Sequence, residues 1–95
     1  MDYFPIFMNV RGQTCLVVGG GAVARRKTEA LLRSGASIRL VAPQISADLQ
    51  ALVQEKQGEL LPRAFQVTDL DDVVLVIAAT NDEQVNQQVS ALAAQ

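Results

Sequence analysis

Cys15-Leu16-Val17-Val18-Gly19-Gly20-Gly21-Ala22-Val23-Ala24 is an apolar run that breaks on three glycines and resumes with helical spacing. It reads G-x-G-x-x-A. In that pattern the first glycine, Gly19, permits a tight strand-to-helix turn. The second, Gly21, lets a pyrophosphate approach the backbone, and the small Ala24 keeps the helix close to the sheet. The stretch predicts a dinucleotide site with Gly19, Gly20 and Gly21 as candidate cofactor contacts. A glycine-rich turn also serves any buried strand that must reverse into a helix, so the surrounding chain has to decide between the two.

Outward from this turn, strand and helix patterns alternate, which predicts an α/β fold with a Rossmann-like, doubly wound parallel sheet. The first strand is expected over about 14–19, followed by a helix over 22–34 with Gly35 as its C-terminal cap. A second strand, 38–42, stops at Pro43. Ser46 is placed to cap a second helix that carries Leu49, Leu52 and Val53 on one face and ends at Gly58. A third strand over about 59–63 is interrupted by Pro62, which favours a sheet edge. Residues 73–79 are apolar throughout, as in a strand covered on both faces. Thr80 and Glu83 have capping-box spacing for a last helix with Val85, Val89 and Leu92 inward. Right-handed crossovers give the strand order 3-2-1-4. Helical periodicity runs to Gln95 without a stop signal, so residues 1–95 are expected to be a fragment, truncated before the next strand.

Composition narrows the chemistry. With 95 residues the chain is one small domain, and its longest apolar run is too short to span a bilayer. The N-terminal Met1-Asp2-Tyr3-Phe4-Pro5 lacks the features of a signal peptide, so a cytoplasmic location is expected. There is no histidine and a single cysteine, Cys15, which excludes an internal disulfide and a His/Cys metal site. Few aromatics, none interleaved with the basic residues, argue against nucleic acid as a partner. Charge is uneven: Arg11, Arg25, Arg26, Lys27, Arg33 and Arg39 face only Asp2 and Glu29 within residues 1–40, whereas the remainder is acidic. Arg25, Arg26 and Lys27 crowd the first two turns of the first helix, where the helix dipole favours negative charge. A bound pyrophosphate or an acidic substrate would relieve that conflict.

Two segments at the carboxyl ends of strands complete the expected site. Val41-Ala42-Pro43-Gln44 follows the second strand without the acidic residue that usually binds the ribose hydroxyls, leaving backbone groups and Gln44 to do so. Ala78-Ala79-Thr80-Asn81-Asp82 follows the fourth strand across the switch point, where Thr80 and Asn81 could touch the cofactor. No catalytic constellation emerges within the chain. Asp69, Asp71 and Asp72 read as a polar turn rather than a metal loop.

Phe4-Pro5-Ile6-Phe7, the phrase from Val17 to Lys27, Leu31-Leu32 with Gly35-Ala36, and Ala78-Ala79-Thr80-Asn81-Asp82 with Val85-Asn86 together resemble the N-terminal domain of the siroheme synthase family. The match runs over almost the whole chain. The resemblance implies NAD contacts at Ala22 and Val23 and at Pro43 and Gln44, and it accounts for the missing ribose acid, which the family also lacks. It implies NAD-dependent oxidation of precorrin-2 to sirohydrochlorin and insertion of ferrous iron, as substrate, to give siroheme. The whole protein would be a homodimer, and S-adenosylmethionine would enter only if a uroporphyrinogen III methyltransferase domain follows. The catalytic aspartate would lie beyond Gln95, so this segment alone would be inactive. A stand-alone dehydrogenase/ferrochelatase and, from another class, an NAD-sensing regulatory module are the alternatives.

Overall fold

Leu16, Val17 and Val18 have no face to spare for water, and their strand lies at the inside of a four-stranded parallel sheet. The computed structural model describes residues 9–94, with elements in the order β1 (Thr14–Val18), α1 (Ala22–Arg33), β2 (Ser37–Val41), α2 (Ala47–Glu55), β3 (Glu59–Leu61), a 3₁₀ turn (Val67–Leu70), β4 (Leu75–Ala78) and α3 (Glu83–Ala93). The strand order is β3-β2-β1-β4, as the crossovers predict. Register pairs Val18 with Val41 on one side and with Ala78 on the other, so three strands end level with one another.

Alternation along β1 divides the core between two layers. Val17 joins Ala24, Ile38, Leu40, Leu49 and Val53 on the face covered by α1 and α2. Leu16 and Val18 join Val41 and Val89 on the other face, with Val85, Phe65 and Leu70 packed against them. Val89 and Leu49, both fully buried, anchor α3 and α2. Burial of each such side chain contributes about 1.5–3 kcal/mol relative to exposure, enough for these short helices to be held by packing rather than propensity. Cys15 is also fully buried, and burial pushes its thiol up, consistent with a packing role.

Four local readings change. The last strand spans Leu75–Ala78, shorter than the apolar run 73–79, and these residues are half-buried because among the described residues β4 pairs with β1 alone. The third strand ends at Leu61, before Pro62, which has no N–H to offer the ladder. The second helix ends at Glu55, short of Gly58, and Gln57 takes the left-handed conformation (φ 61°); Gly58 is small because a Cβ there would press on the Val53 side chain and the Ile38 carbonyl. The cap of α3 is Asp82 instead of a Thr80–Glu83 box: its carboxylate accepts the N–H groups of Gln84 at 2.9 Å and Val85 at 3.4 Å. Gly35 does take the left-handed conformation after α1, at φ 86°, with Ser34 as the C-cap residue. The Phe4–Phe7 phrase falls in residues 1–8, outside the described residues, as does the N-terminal stretch bearing on a signal peptide.

Candidate functional site

The level strand ends bring the three predicted segments to one edge of the sheet. Gly19 donates its N–H to the Val41 carbonyl at 2.9 Å, and Ala79 donates to the Val18 carbonyl at 2.8 Å. The glycine turn thus sits between the β2 and β4 exits. Gly19 has φ 146°, and a Cβ there would fall on the Ala79 carbonyl oxygen and crowd Ala24, so both steric demands of the motif are met. Gly20 faces the other way. A Cβ on it would fall on the Gln44 carbonyl oxygen, and its own carbonyl accepts the Ser46 N–H at 2.9 Å.

Gly21 differs from both. Its φ is −108°, open to any residue, and an added Cβ would find no atom within 4 Å. Among the described residues nothing requires a glycine here, and the turn opens onto free space. The start of α1 supplies what an anion needs: no side chain caps it and no acid occupies its first turn, whereas α3 has Asp82 as its cap and Glu83 in its first turn. These features fit a pyrophosphate resting over exposed Gly21, Ala22 and Val23.

Pro43 and Gln44 are exposed beside this space, in the loop 42–46 that Gly20 holds. Asn81 is exposed across from them. Thr80 is half-buried and turned inward: its hydroxyl shares a proton between Asn86 Oδ1 at 2.7 Å and the Asp82 carbonyl at 2.8 Å, and its N–H donates to the same Asn86 oxygen at 3.0 Å. Asn86 Nδ2 donates back to the Thr80 carbonyl at 3.1 Å. Asn86 is therefore the residue that shapes this loop, and the six-residue Thr-to-Asn spacing is the signal for it in the sequence.

The basic crowd on α1 is partly answered within the chain. Arg25 forms ion pairs with Glu29 at 3.3 Å and with Asp48 on α2. The Ser46 hydroxyl first, and the Arg25 charge after it, hold the Asp48 carboxyl below the usual carboxylate range. Among the described residues Arg26 and Lys27 have no carboxylate at ion-pair distance. A shallow depression of about 300 Å³ lies between the helix starts, lined by Ala22, Arg25, Arg26, Glu29, Ser46 and Asp48. A second, of about 270 Å³, lies at the opposite end of the strands, away from the converging loops.

Asp69 proves structural. It is 4% exposed and receives both terminal nitrogens of Arg63, at 3.0 and 2.7 Å, and the Gln66 N–H at 2.8 Å. Arg39, inside β2, is likewise consumed, donating to Glu59 and to the carbonyls of Asp69 and Asp71. No group of three metal-ligating side chains occurs among the described residues, and none of their helices is long and apolar enough to cross a membrane.

Residues 6–95 match the family described as "Putative NAD(P)-binding". The chain belongs to this NAD(P)-binding family. It is 52% identical over 91 residues to a siroheme synthase of Pseudomonas fluorescens (strain SBW25), covering 96% of this chain and 20% of that protein. It is 50% identical over 93 residues to a siroheme synthase of Pseudomonas aeruginosa (strain LESB58), covering 98% of this chain and 20% of that protein. The chain thus spans about a fifth of the length of the curated relatives it matches. Its fold superposes on a solved structure named "SirC, precorrin-2 dehydrogenase" with a TM-score of 0.82 and 33% identity, over 93% of this chain and 44% of that one.

Proposed function

We propose that residues 1–95 are the NAD-binding part of a siroheme-forming enzyme that oxidises precorrin-2 to sirohydrochlorin and then inserts ferrous iron. The observation that carries this reading is the open glycine turn, with Gly21 facing empty space at an uncapped helix start, in a chain half identical to siroheme synthases. When bound, the nicotinamide would accept a hydride from the tetrapyrrole. The chain's own part is to hold the dinucleotide: Gly19 sets the turn whose backbone at Gly20, Gly21, Ala22 and Val23 receives the pyrophosphate, Pro43 and Gln44 flank the adenosine side, and Thr80 and Asn81 flank the nicotinamide side.

Arg26 and Lys27, with no carboxylate at ion-pair distance among the described residues, suit a substrate bearing many carboxylates. The acid needed for proton transfer, the iron-handling groups and the homodimer contacts belong to the remainder of the protein, and S-adenosylmethionine has a role only if a methyltransferase domain is attached. A cytoplasmic location goes with this reading. The decisive experiment is anaerobic incubation of the full-length protein with precorrin-2 and NAD, reading NADH formation and the sirohydrochlorin spectrum together. Both signals appear if the reading holds. Dinucleotide binding without tetrapyrrole oxidation would overturn it.

A further inference from the structure

We propose that Val23 and Lys27, one turn apart on the flank of α1 that faces away from α2, seat the tetrapyrrole beside the nicotinamide, Val23 against the edge of the macrocycle and Lys27 on one of its carboxylates. The inference rests on the reaction proposed above and adds where its substrate lies and which cation holds it. Helix geometry separates the basic residues of α1, at about 100° per residue. Ala24 and Thr28 are buried and mark the side toward the sheet. Arg25 marks the side toward α2, where it pairs with Asp48. Val23 and Lys27 stand two residues to either side of Arg25, so both lie roughly opposite it. Arg26 falls between, on the outer surface, and lines the depression on the α2 side.

The flank away from α2 is the one beside β4. Leu31, one turn beyond Lys27, packs on the same buried cluster of Val10, Cys15 and Ala36 as Leu75 of β4. At the other end, a Cβ on Gly19 would meet both the Ala79 carbonyl and the Ala24 side chain, so the start of α1 stands next to the β4 exit. That exit leads to Thr80 and Asn81, the nicotinamide side of the cradle in the reading above. A substrate that gives a hydride to the nicotinamide has to lie close to it, and Val23 and Lys27 are the surface there. Val23 is 42% exposed although apolar. Lys27 is exposed and has no carboxylate at ion-pair distance among the described residues. An apolar side chain with a cation one turn on matches a flat ring whose rim carries carboxylates. Across the β4 exit the charge has the other sign, since α3 starts with Asp82 and Glu83. Carboxylates are repelled there and drawn to α1, which gives the ring a preferred edge.

The test uses the full-length protein and measures KM and kcat for precorrin-2 at saturating NAD, with the NAD dissociation constant alongside. Lys27→Gln should raise KM for precorrin-2 about three- to fivefold, the scale of an exposed ion pair, and less at high salt. Lys27→Glu should raise it about tenfold or more, and Lys27→Arg should restore it. The NAD dissociation constant and kcat should stay within about twofold in all three. Arg26→Gln should raise KM less than Lys27→Gln, and Arg33→Gln, in the last turn of α1, should not change it. Lys27 is exposed, so the fold is retained, and a thermal melt checks it. If precorrin-2 is oxidised and KM is unchanged in both Lys27→Gln and Lys27→Glu, the seat is wrong while the proposed reaction stands. A larger effect from Arg26→Gln, or NAD affinity falling in step with KM, overturns it as well. If the wild type does not oxidise precorrin-2, the two fall together.

Discussion

The carbonyl oxygen of Gly20 accepts the backbone N–H of Ser46 at 2.9 Å, fastening the turn after β1 to the start of α2. Two adjacent glycines consequently have unrelated reasons to be glycine. Gly20 is small because the β2–α2 loop lies on it, and Gly21 is small although none of the described residues comes within 4 Å of where its Cβ would be.

This contrast separates stability from binding. Gly20→Ala should destabilise the fold by about 2–4 kcal/mol, since backbone rather than a flexible side chain must move. Gly21→Ala should change stability by less than about 1 kcal/mol, the scale of an N-cap substitution, while NAD affinity falls at least about tenfold. Urea unfolding and NAD titration of the same two variants in the full-length protein check both halves. Equal loss of stability in the two would remove the assignment of open space above Gly21.

Asp69 and Arg63 should govern acid sensitivity. The Arg63 hydrogen bonds, aided by the Gln66 N–H, hold the Asp69 carboxyl below its ordinary value of 3.8. A depressed folded value means that the unfolded chain binds the proton more readily. The pair's contribution is therefore complete above the ordinary aspartate range and is lost as pH falls through the lower folded value. Arg63→Ala leaves a buried carboxylate with one backbone donor and should lower the urea midpoint at neutral pH, with the deficit shrinking in acid as Asp69 takes up its proton. Asp69→Asn should flatten the decline in stability below about pH 4. Urea midpoints from neutral pH to strong acid measure both effects.

Whatever depends on neighbours in sequence could be read from the residues alone. Gly19 before a helix dictates the turn, and hence that Val41, Val18 and Ala78 end together once the crossovers are right-handed. The end of α2 and the cap of α3 escape such a reading because two residues compete for each position. Gln57 takes the left-handed conformation after α2, ahead of the Gly58 expected to end the helix, and Asp82, with a carboxylate one residue before the helix, displaces Thr80. The pairing of Arg25 with Asp48 has no local signal. It joins residues 23 apart that meet only because Ser46 is tied to Gly20. The same holds for Arg39, whose place inside a strand gives no hint of two loop carbonyls waiting beside it.

Asn86 should act on the site without standing in it. Its side chain accepts the Thr80 N–H and returns a hydrogen bond to the Thr80 carbonyl, closing the loop that carries Asn81. Asn86→Ala removes both and strands the half-buried Thr80 groups, so stability should fall by about 1–3 kcal/mol. Asn86→Asp keeps the acceptor for Thr80 N–H but places a carboxylate against the Thr80 carbonyl, so an intermediate loss is expected. If the loop serves the nicotinamide end, NAD affinity should weaken in the same order, Ala more than Asp, while Arg26→Gln leaves it unchanged. Amide hydrogen exchange at Thr80 supplies the independent reading: protection should drop with Asn86→Ala by the factor that its stability loss predicts. An affinity loss with protection intact would mean that Asn86 touches the ligand directly and does not act through Thr80.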